Sequence, residues 1–80
     1  MGKSEELAGI LEQHRRWLAS GGNSGKRADL SGAQLDGIDF AAIDLSGAVL
    51  QGASLQGADL TGAQLVHADL GDADLRGARL

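Results

Sequence analysis

A five-residue repeat runs through about the last two thirds of this 80-residue chain and restricts its fold more than any other feature. From Leu30 to Leu80 every fifth residue is Leu except for Phe40, and the residue two places earlier is Ala except at Ile38 and Ile43. On an α-helix, residues five apart advance by about 140° and form no stripe. In a flat strand they would alternate between the two faces. The chain must therefore bend once per repeat for these side chains to share one interior.

The last position of each repeat is suited to such a bend. Gly occupies it in seven of the ten complete repeats, and Gly adopts without strain the backbone conformations that tight corners require. The predicted structural core consists of the central residues Leu30, Leu35, Phe40, Leu45, Leu50, Leu55, Leu60, Leu65, Leu70, Leu75 and Leu80.

These repeats, such as ADLSG, IDLSG and ADLTG, resemble the pentapeptide-repeat family, whose pattern is Ala, then Asp or Asn, then Leu, then two variable residues. The resemblance implies a β-solenoid over residues 28–80. In that family the fold is a right-handed quadrilateral β-helix with one pentapeptide per side, so residues twenty apart would stack. The repeats would make about two and two-thirds coils, roughly 13 Å tall at the usual spacing between strands.

The segment before the repeats has the pattern of an amphipathic helix. An uncovered solenoid end exposes apolar side chains and unpaired backbone groups, so residues 1–20 are predicted to form a capping helix, helical over 4–19, on the first coil. Trp17 is predicted to be its main plug. Residues 21–27 are predicted to be a flexible Gly-rich linker. The cap residues recur at helical spacing and are Leu7, Ile10, Leu11, His14, Trp17 and Leu18.

The opposite end of the predicted solenoid carries no comparable cap, because the sequence stops at Leu80 on an inward-facing position. Three explanations stay open: the chain is a fragment of a longer protein, it stacks end to end on a second copy, or its last residues fray. The bare end formed by Leu70, Leu75 and Leu80 predicts a homodimer through end-to-end stacking of the C-terminal coil.

No group of residues in the sequence predicts catalysis, a cofactor or a metal ion. The segment GGNSGKR resembles a phosphate-binding loop only superficially, because its spacing is one residue short and Arg27 stands where Ser or Thr would hold magnesium. His14 and His67 lie in unrelated elements, whereas a metal ion needs three or four convergent ligands. We expect His14 to be partly buried against the solenoid and His67 to be exposed at a corner.

Aspartate recurs before the central residue of the repeats. Short Asp side chains hydrogen-bond to nearby backbone and favour turns, and the position is used on every side of the coil, so a structural role is favoured over acid–base catalysis. We therefore expect no enzyme. Asp39 should stack over Asp59 if residues twenty apart are neighbours. The six aspartates are Asp29, Asp39, Asp44, Asp59, Asp69 and Asp74.

The charge distribution disfavours direct binding to nucleic acid. Residues 28–80 contain eight acidic and two basic side chains, and the whole chain has a net charge of −4, whereas phosphates must be neutralised by basic groups. The family resemblance implies an alternative, mimicry of DNA that modulates type II topoisomerases such as DNA gyrase. The acids are spread over all four sides, however, and the rod is short. The leading hypothesis is a non-catalytic structural and protein-interaction module whose protein partner is unidentified.

Cysteine and targeting signals are also informative. Without Cys, no disulfide or thiolate metal site can form. No apolar run approaches the roughly 20 residues that span a bilayer. Acidic residues occupy the start, where a signal peptide needs an apolar stretch. These features predict a soluble, cytoplasmic protein with no membrane association.

Overall fold

The computed structural model describes residues 3–80, with side chains from Glu5 onward. One helix, α1, spans Lys3–Ala19, and the first two residues of the predicted 1–20 segment lie outside the described residues. Glu5 and Glu6 lie in the first turn of α1 and Arg16 lies in its last, which favours the helix because acids stabilise the positive end of its dipole and bases the negative end. In the rest of the described chain the secondary structure consists of turns and single β-bridges.

Seven parallel bridges define the coil. Each joins residues twenty apart: Asp29 pairs with Val49, and Val49 pairs in turn with Asp69. Four bridges start within residues 29–48, five residues apart, so one coil consists of four five-residue sides. The predicted stacking of Asp39 on Asp59 is confirmed by a bridge between them. No extended segment among residues 3–80 is longer than one bridged residue, because a turn follows every bridge.

Backbone hydrogen bonds join each coil to the next. On the first side, Leu30 N–H donates to the Val49 carbonyl over 2.7 Å and Gly32 N–H donates to the Gln51 carbonyl over 2.8 Å. In the reverse direction, Val49 N–H donates to the Ala28 carbonyl over 3.0 Å. The same three bonds recur between the first and second coils on the other three sides. Successive coils are therefore fixed to each other on all sides.

Every complete repeat ends at a corner with a left-handed backbone. At the first corner Ala33 N–H donates to the Leu30 carbonyl over 3.1 Å, and the third residue of that turn, Gly32, has φ 67°. A positive φ there is the mark of a type II turn, which Gly forms without strain. The predicted corner is confirmed. In three repeats it is occupied by a residue with a Cβ atom, namely Ala42 (φ 62°), His67 (φ 60°) and Asp72 (φ 58°).

Replacing Ala42 with Gly should stabilise the chain by about 1 kcal/mol, because a left-handed Ala is strained by roughly 1–2 kcal/mol and part of that gain is offset by the greater unfolded-state entropy of Gly. Asp72→Gly should gain less, since Asp tolerates this conformation better. Thermal denaturation measures both effects. Ala41→Gly, at a neighbouring exposed position without a positive φ, is the control and should lose stability. A lower Tm for Ala42→Gly than for wild type would contradict the corner geometry.

The core occupies the first two coils. Leu65, Leu70 and Leu75 are only half-buried, and Leu80 is 80% exposed. The prediction that Leu80 belongs to the core is therefore wrong for this structure, because no coil covers the far side of the last one. The buried apolar residues are Ala28, Leu30, Leu35, Phe40, Leu45, Ala48, Leu50, Ala53, Leu55, Ala58 and Leu60.

The segment 21–27, which was predicted to be a flexible linker, is folded back against α1 in this structure. Gly22 N–H donates to the Trp17 carbonyl over 2.9 Å, and Lys26 N–H donates to the Gln13 carbonyl over 3.0 Å. Gly25 lies so close to the helix that a Cβ atom there would be 2.6 Å from the backbone nitrogen of Trp17. Its φ of 70° adds a second reason for Gly. The Gly residues of this segment therefore allow close contact with the helix backbone.

Gly25→Ala should destabilise the chain by about 2–5 kcal/mol, because the new methyl group would overlap helix backbone in a left-handed conformation. Gly21→Ala is a matched control: its φ is 64°, but nothing lies within 4 Å of the added atom, so only the conformational strain applies. Urea denaturation of both variants gives the comparison. Equal destabilisation by the two substitutions would show that this segment does not pack on α1.

Candidate functional site

α1 lies across the open edge of the first coil. Its apolar residues Leu7, Ile10 and Leu11 pack against the solenoid core. Ile38 and Ile43, the two exceptions to the Ala pattern, are half-buried against the same core. In the second coil the residue equivalent to Ile38 is Ala58, which is fully buried, whereas Ile43 lines an open groove between α1 and the first coil.

The outer face of α1 carries a small cluster of charges. Glu12 accepts hydrogen bonds from Arg15 over 2.6 Å and from Arg16 over 3.1 Å. These hydrogen bonds, from Arg15 first and Arg16 second, lower the pKa of Glu12 below its usual value. All three side chains are substantially exposed. Such surface pairs contribute little to stability, so this face does not hold the cap in place.

His14 is the residue that fastens α1 to the solenoid. Among the described residues it is the one buried polar side chain, with 1% of its surface exposed. Its Nδ1 atom accepts a hydrogen bond from Ala28 N–H over 3.0 Å, and its Nε2 atom lies 3.0 Å from the Ser46 carbonyl oxygen. Because a backbone N–H can only donate and a carbonyl can only accept, the ring carries its proton on Nε2. His14 is thus more buried and more constrained than the sequence suggested.

The bond from His14 to Ser46 replaces one that a preceding coil would make. One coil further on, the equivalent carbonyl, that of Val66, accepts from Gly47 N–H over 2.8 Å. The Ser46 carbonyl has no such coil before it, and the imidazole N–H supplies the missing donor. An unpaired strand edge invites pairing with other chains, and His14 closes one position of that edge. Its place in the apolar stripe of α1 was the only signal of this role in the sequence.

Trp17 covers the histidine instead of plugging the core. The two rings are stacked with centroids 5.5 Å apart and planes inclined by 22°. A Cβ atom on Gly47 would lie 3.1 Å from the Trp17 ring, so the indole rests on that corner. Trp17 and Leu18 are each half-buried. The prediction of Trp17 as the main plug is wrong, because the corner at Gly47 holds the indole at the rim while His14 takes the buried position.

The six aspartates before the central residues cap their own turns, as predicted. Asp29 Oδ1 accepts from Ser31 N–H over 3.1 Å and from the Ser31 hydroxyl over 2.7 Å. These bonds, the hydroxyl first and the amide second, lower the pKa of Asp29. The other five each accept from the amide two residues later and are Asp39, Asp44, Asp59, Asp69 and Asp74.

Acid should weaken these caps. Because the pKa of Asp29 is lower in the folded chain than in the unfolded one, its contribution is present above about pH 4 and is lost as the pH falls through the folded value. Asp29→Asn keeps an acceptor oxygen at every pH, so its Tm should fall less than that of wild type between pH 5 and pH 2. Asp29→Ala has no acceptor and should melt lower than wild type at pH 7. Parallel Tm curves for wild type and Asp29→Asn would contradict the cap.

A hydrogen-bonded ladder crosses three coils on the second side, and sequence reasoning missed it. Asp36 accepts from Gln56 N–H over 2.9 Å and from the Ser54 hydroxyl. Gln56 Nε2 donates to Asp74 over 2.7 Å, and the Arg76 guanidinium donates to the same carboxylate over 2.7 Å. The Arg76 bonds, followed by that of Gln56, hold the pKa of Asp74 far below its usual range. The residues are 18 to 20 positions apart, a spacing recognisable only once the coil length is known.

Two other features of the described surface are its titratable groups and an open groove beside α1. The described part of the chain contains no cluster of three or more His, Cys, Asp or Glu side chains suited to a metal ion, and His67 is exposed at its corner. An open groove of about 770 Å³ runs between α1 and the coil, lined mainly by apolar residues such as Leu11, Leu18 and Ile43. Within residues 3–80, no helix has the length and apolar character needed to cross a bilayer.

Comparison with known proteins identifies the repeat. Residues 43–80 match the family model "Pentapeptide repeats" in eight copies. Residues 43–80 are therefore pentapeptide repeats. The match begins at residue 43, but the bridges and corners extend the pentapeptide repeat back to Asp29.

Two solved structures of pentapeptide-repeat proteins from Nostoc PCC 7120 are similar to this chain. One is 24% identical, with 86% of this chain and 73% of that chain covered and a TM-score of 0.29. The other, HetL, is involved in heterocyst differentiation regulation; it is 28% identical, with 65% of this chain covered and a TM-score of 0.24. The aligned part makes up 44% of HetL. No curated protein matches this pentapeptide-repeat chain.

Proposed function

We propose that this pentapeptide-repeat chain is a non-catalytic structural and protein-interaction module, with coils that are right-handed and quadrilateral. The observation that carries the proposal is the set of backbone bonds joining successive coils on all four sides. Outward side chains then stand on a lattice with about 4.8 Å between coils. A partner that binds such a preorganised surface loses little free energy to ordering it. The absence of Cys suits a reducing compartment, and we place the module in the cytoplasm.

The outward positions support this proposal. On the second side, the ladder from Asp36 through Gln56 and Asp74 to Arg76 holds polar side chains in fixed places. Elsewhere small or uncharged polar side chains, such as Ser31 and Thr61, alternate with exposed charged ones, such as Asp39 and Asp69. Because every side combines ordered backbone with adaptable polar groups, each is suited to recognise a protein surface by shape and hydrogen bonding.

The engaged carboxylates favour a scaffold over an enzyme. General acid–base catalysis needs a carboxylate within hydrogen-bond reach of a reacting group, with a pKa near the working pH. Asp29, Asp44, Asp59 and Asp74 instead have a lowered pKa, with hydrogen bonds to the residue two places later as the leading cause. They are therefore ionised turn caps at neutral pH.

Mimicry of DNA is not favoured by this geometry. The whole described body measures 35 × 30 × 21 Å, and its acids lie on different sides of the coil. A supercoiling assay with DNA gyrase distinguishes the two functions. We expect no inhibition or protection at micromolar concentrations of the chain, and a clear effect would overturn the scaffold proposal.

Backbone dynamics test the scaffold directly. NMR order parameters of the amides from Leu30 to Leu60 should reach about 0.85, the value of rigid backbone. Ser31→Arg and Thr61→Arg each place a bulky charge on a different exposed side of the coil. If a partner binds one of these two sides, the substitution on that side should abolish binding and the other should not. Order parameters below about 0.6 across these coils would exclude a rigid lattice.

We further propose that two copies stack end to end through the last coil. Its half-buried Leu65, Leu70 and Leu75 and its exposed Leu80 form an apolar surface at the end of the solenoid. Burial of this surface drives the association. Sedimentation equilibrium should show a dimer at high concentration, and Leu80→Lys should weaken it while the fold persists. A monomer at every concentration would refute the stacking.

A further inference from the structure

We propose that α1 is a proton-sensitive cap: protonation of His14 releases the helix from the first coil. Both ring nitrogens of this histidine are committed in the docked state, Nδ1 as an acceptor from Ala28 N–H at 3.0 Å and Nε2 as a donor to the Ser46 carbonyl at 3.0 Å. Docking therefore requires one tautomer of the neutral ring. The side chain is 1% exposed, so water cannot take over either bond while the cap is in place.

Adding a proton to His14 makes the docked geometry unfavourable. The second proton must go to Nδ1, where it would face Ala28 N–H, and two donors would then stand 3.0 Å apart. Ala28 N–H would lose its acceptor in a buried place, and the ring would carry a charge away from water. After release, both ring nitrogens of the cation can donate to water. Protonation therefore favours the undocked helix, and acidification from pH 8 to pH 5 should promote release.

Charged groups around His14 act in both directions. Asp44 on the first coil interacts electrostatically with the ring, and hydrogen bonds from Ser46 lower the pKa of this carboxyl, so it stays ionised throughout the range and favours the cation. Lys26 and Arg27 precede Ala28 on an exposed stretch, and their positive charges disfavour the protonated ring. On α1, the neighbouring Arg15 is engaged with Glu12. The donor conflict at Nδ1 is independent of these charges, and it decides the direction.

The consequence of release is exposure of the first-coil edge. The Ser46 carbonyl and the surface under Leu7, Ile10 and Leu11 would become accessible together. A helix of 17 residues is marginally stable by itself in water, so undocking should also reduce helical content. The proton thus controls whether one end of the rod is closed or open.

Trp17 gives a direct readout, because it is the only Trp in the chain and its ring stacks on His14 at 5.5 Å. The test is a titration from pH 8 to pH 5 of the full-length His67→Gln variant, which leaves His14 as its only histidine. Trp fluorescence, helical circular dichroism and exchange of the Lys26 and Ala28 amides are followed together. We expect helical signal to fall and amide exchange, corrected for its intrinsic pH dependence, to accelerate about tenfold or more, as loss of a buried bond implies.

His14→Gln, measured in the same background, supplies the matched comparison, since its amide cannot be protonated in this range. The transition should be absent from it. If that variant does not dock at pH 8, the chain that retains His14 still tests the proposal. In that chain the change of the His14 ring signals in NMR must coincide with the change in amide exchange. Constant helical content and exchange between pH 8 and pH 5 would overturn the proposal, as would a fluorescence change alone, which indicates protonation without release.

Discussion

Leu55→Lys will unfold the chain. Leu55 is fully buried, lies in the second coil with coils on both sides, and belongs to the interior column that also contains Leu35 and Leu75. The substitution removes a buried Leu, worth about 2–5 kcal/mol, and places an unpaired charge in the core, which adds several kcal/mol. The sum equals or exceeds the total of about 5–15 kcal/mol that stabilises a typical domain. Circular dichroism at 25 °C should show neither α1 nor a cooperative melting transition.

Leu80→Lys is the matched control for this result. It is the same exchange at the same position of the repeat, but Leu80 is 80% exposed. Its stability should change by less than about 0.5 kcal/mol, as is usual for surface positions, while its self-association weakens. If Leu55→Lys melts close to wild type, the central residues of the repeat do not form a dry interior.

His14→Phe will be the most destabilising substitution in α1. Phe retains the flat ring and can stack with Trp17, but it leaves the Ala28 N–H and the Ser46 carbonyl without their partners. Each orphaned buried group costs about 1–3 kcal/mol, so the free energy of unfolding should fall by about 2–6 kcal/mol. Urea denaturation followed by Trp17 fluorescence and by circular dichroism measures the loss and shows whether α1 detaches before the solenoid unfolds.

The same exchange at the other histidine isolates the role of the two bonds. His67 is exposed at a corner, and His67→Phe should change stability by less than about 0.5 kcal/mol. A loss of similar size in both variants would mean that His14 contributes no more than an ordinary surface ring.

The repeat made most of the solenoid predictable. A bend at every fifth residue, turn-capping by Asp29 and its equivalents, and the stacking of Asp39 on Asp59 follow from local geometry that recurs at each repeat. A regular period leaves few ways to bury one residue in five. Even the exceptions are informative, because Ile38 and Ile43 both lie in the first coil, where Ile43 lines the groove beside α1.

The cap was predictable only in outline. The apolar stripe indicated a helix on the first coil, but it ranked Trp17 above His14 and made the Gly-rich segment flexible. The positions of His14 between Ala28 and Ser46 and of Gly25 against the backbone of Trp17 depend on the angle at which α1 crosses the coil. No local pattern encodes that angle. The ladder through Gln56 was missed for a related reason, since its members are brought together by the coil.

The sequence by itself determined the repeating unit, its corners and its inward residues, because those depend on interactions within five residues and on a register that repetition enforces. Tertiary structure alone decided which central residues are buried and how α1 covers the edge of the first coil. Burial of Leu55 and exposure of Leu80 differ only in whether a further coil covers them. The closure of the edge depends on two hydrogen bonds between groups 14 and 32 residues apart, which form only when helix, linker and coil are assembled.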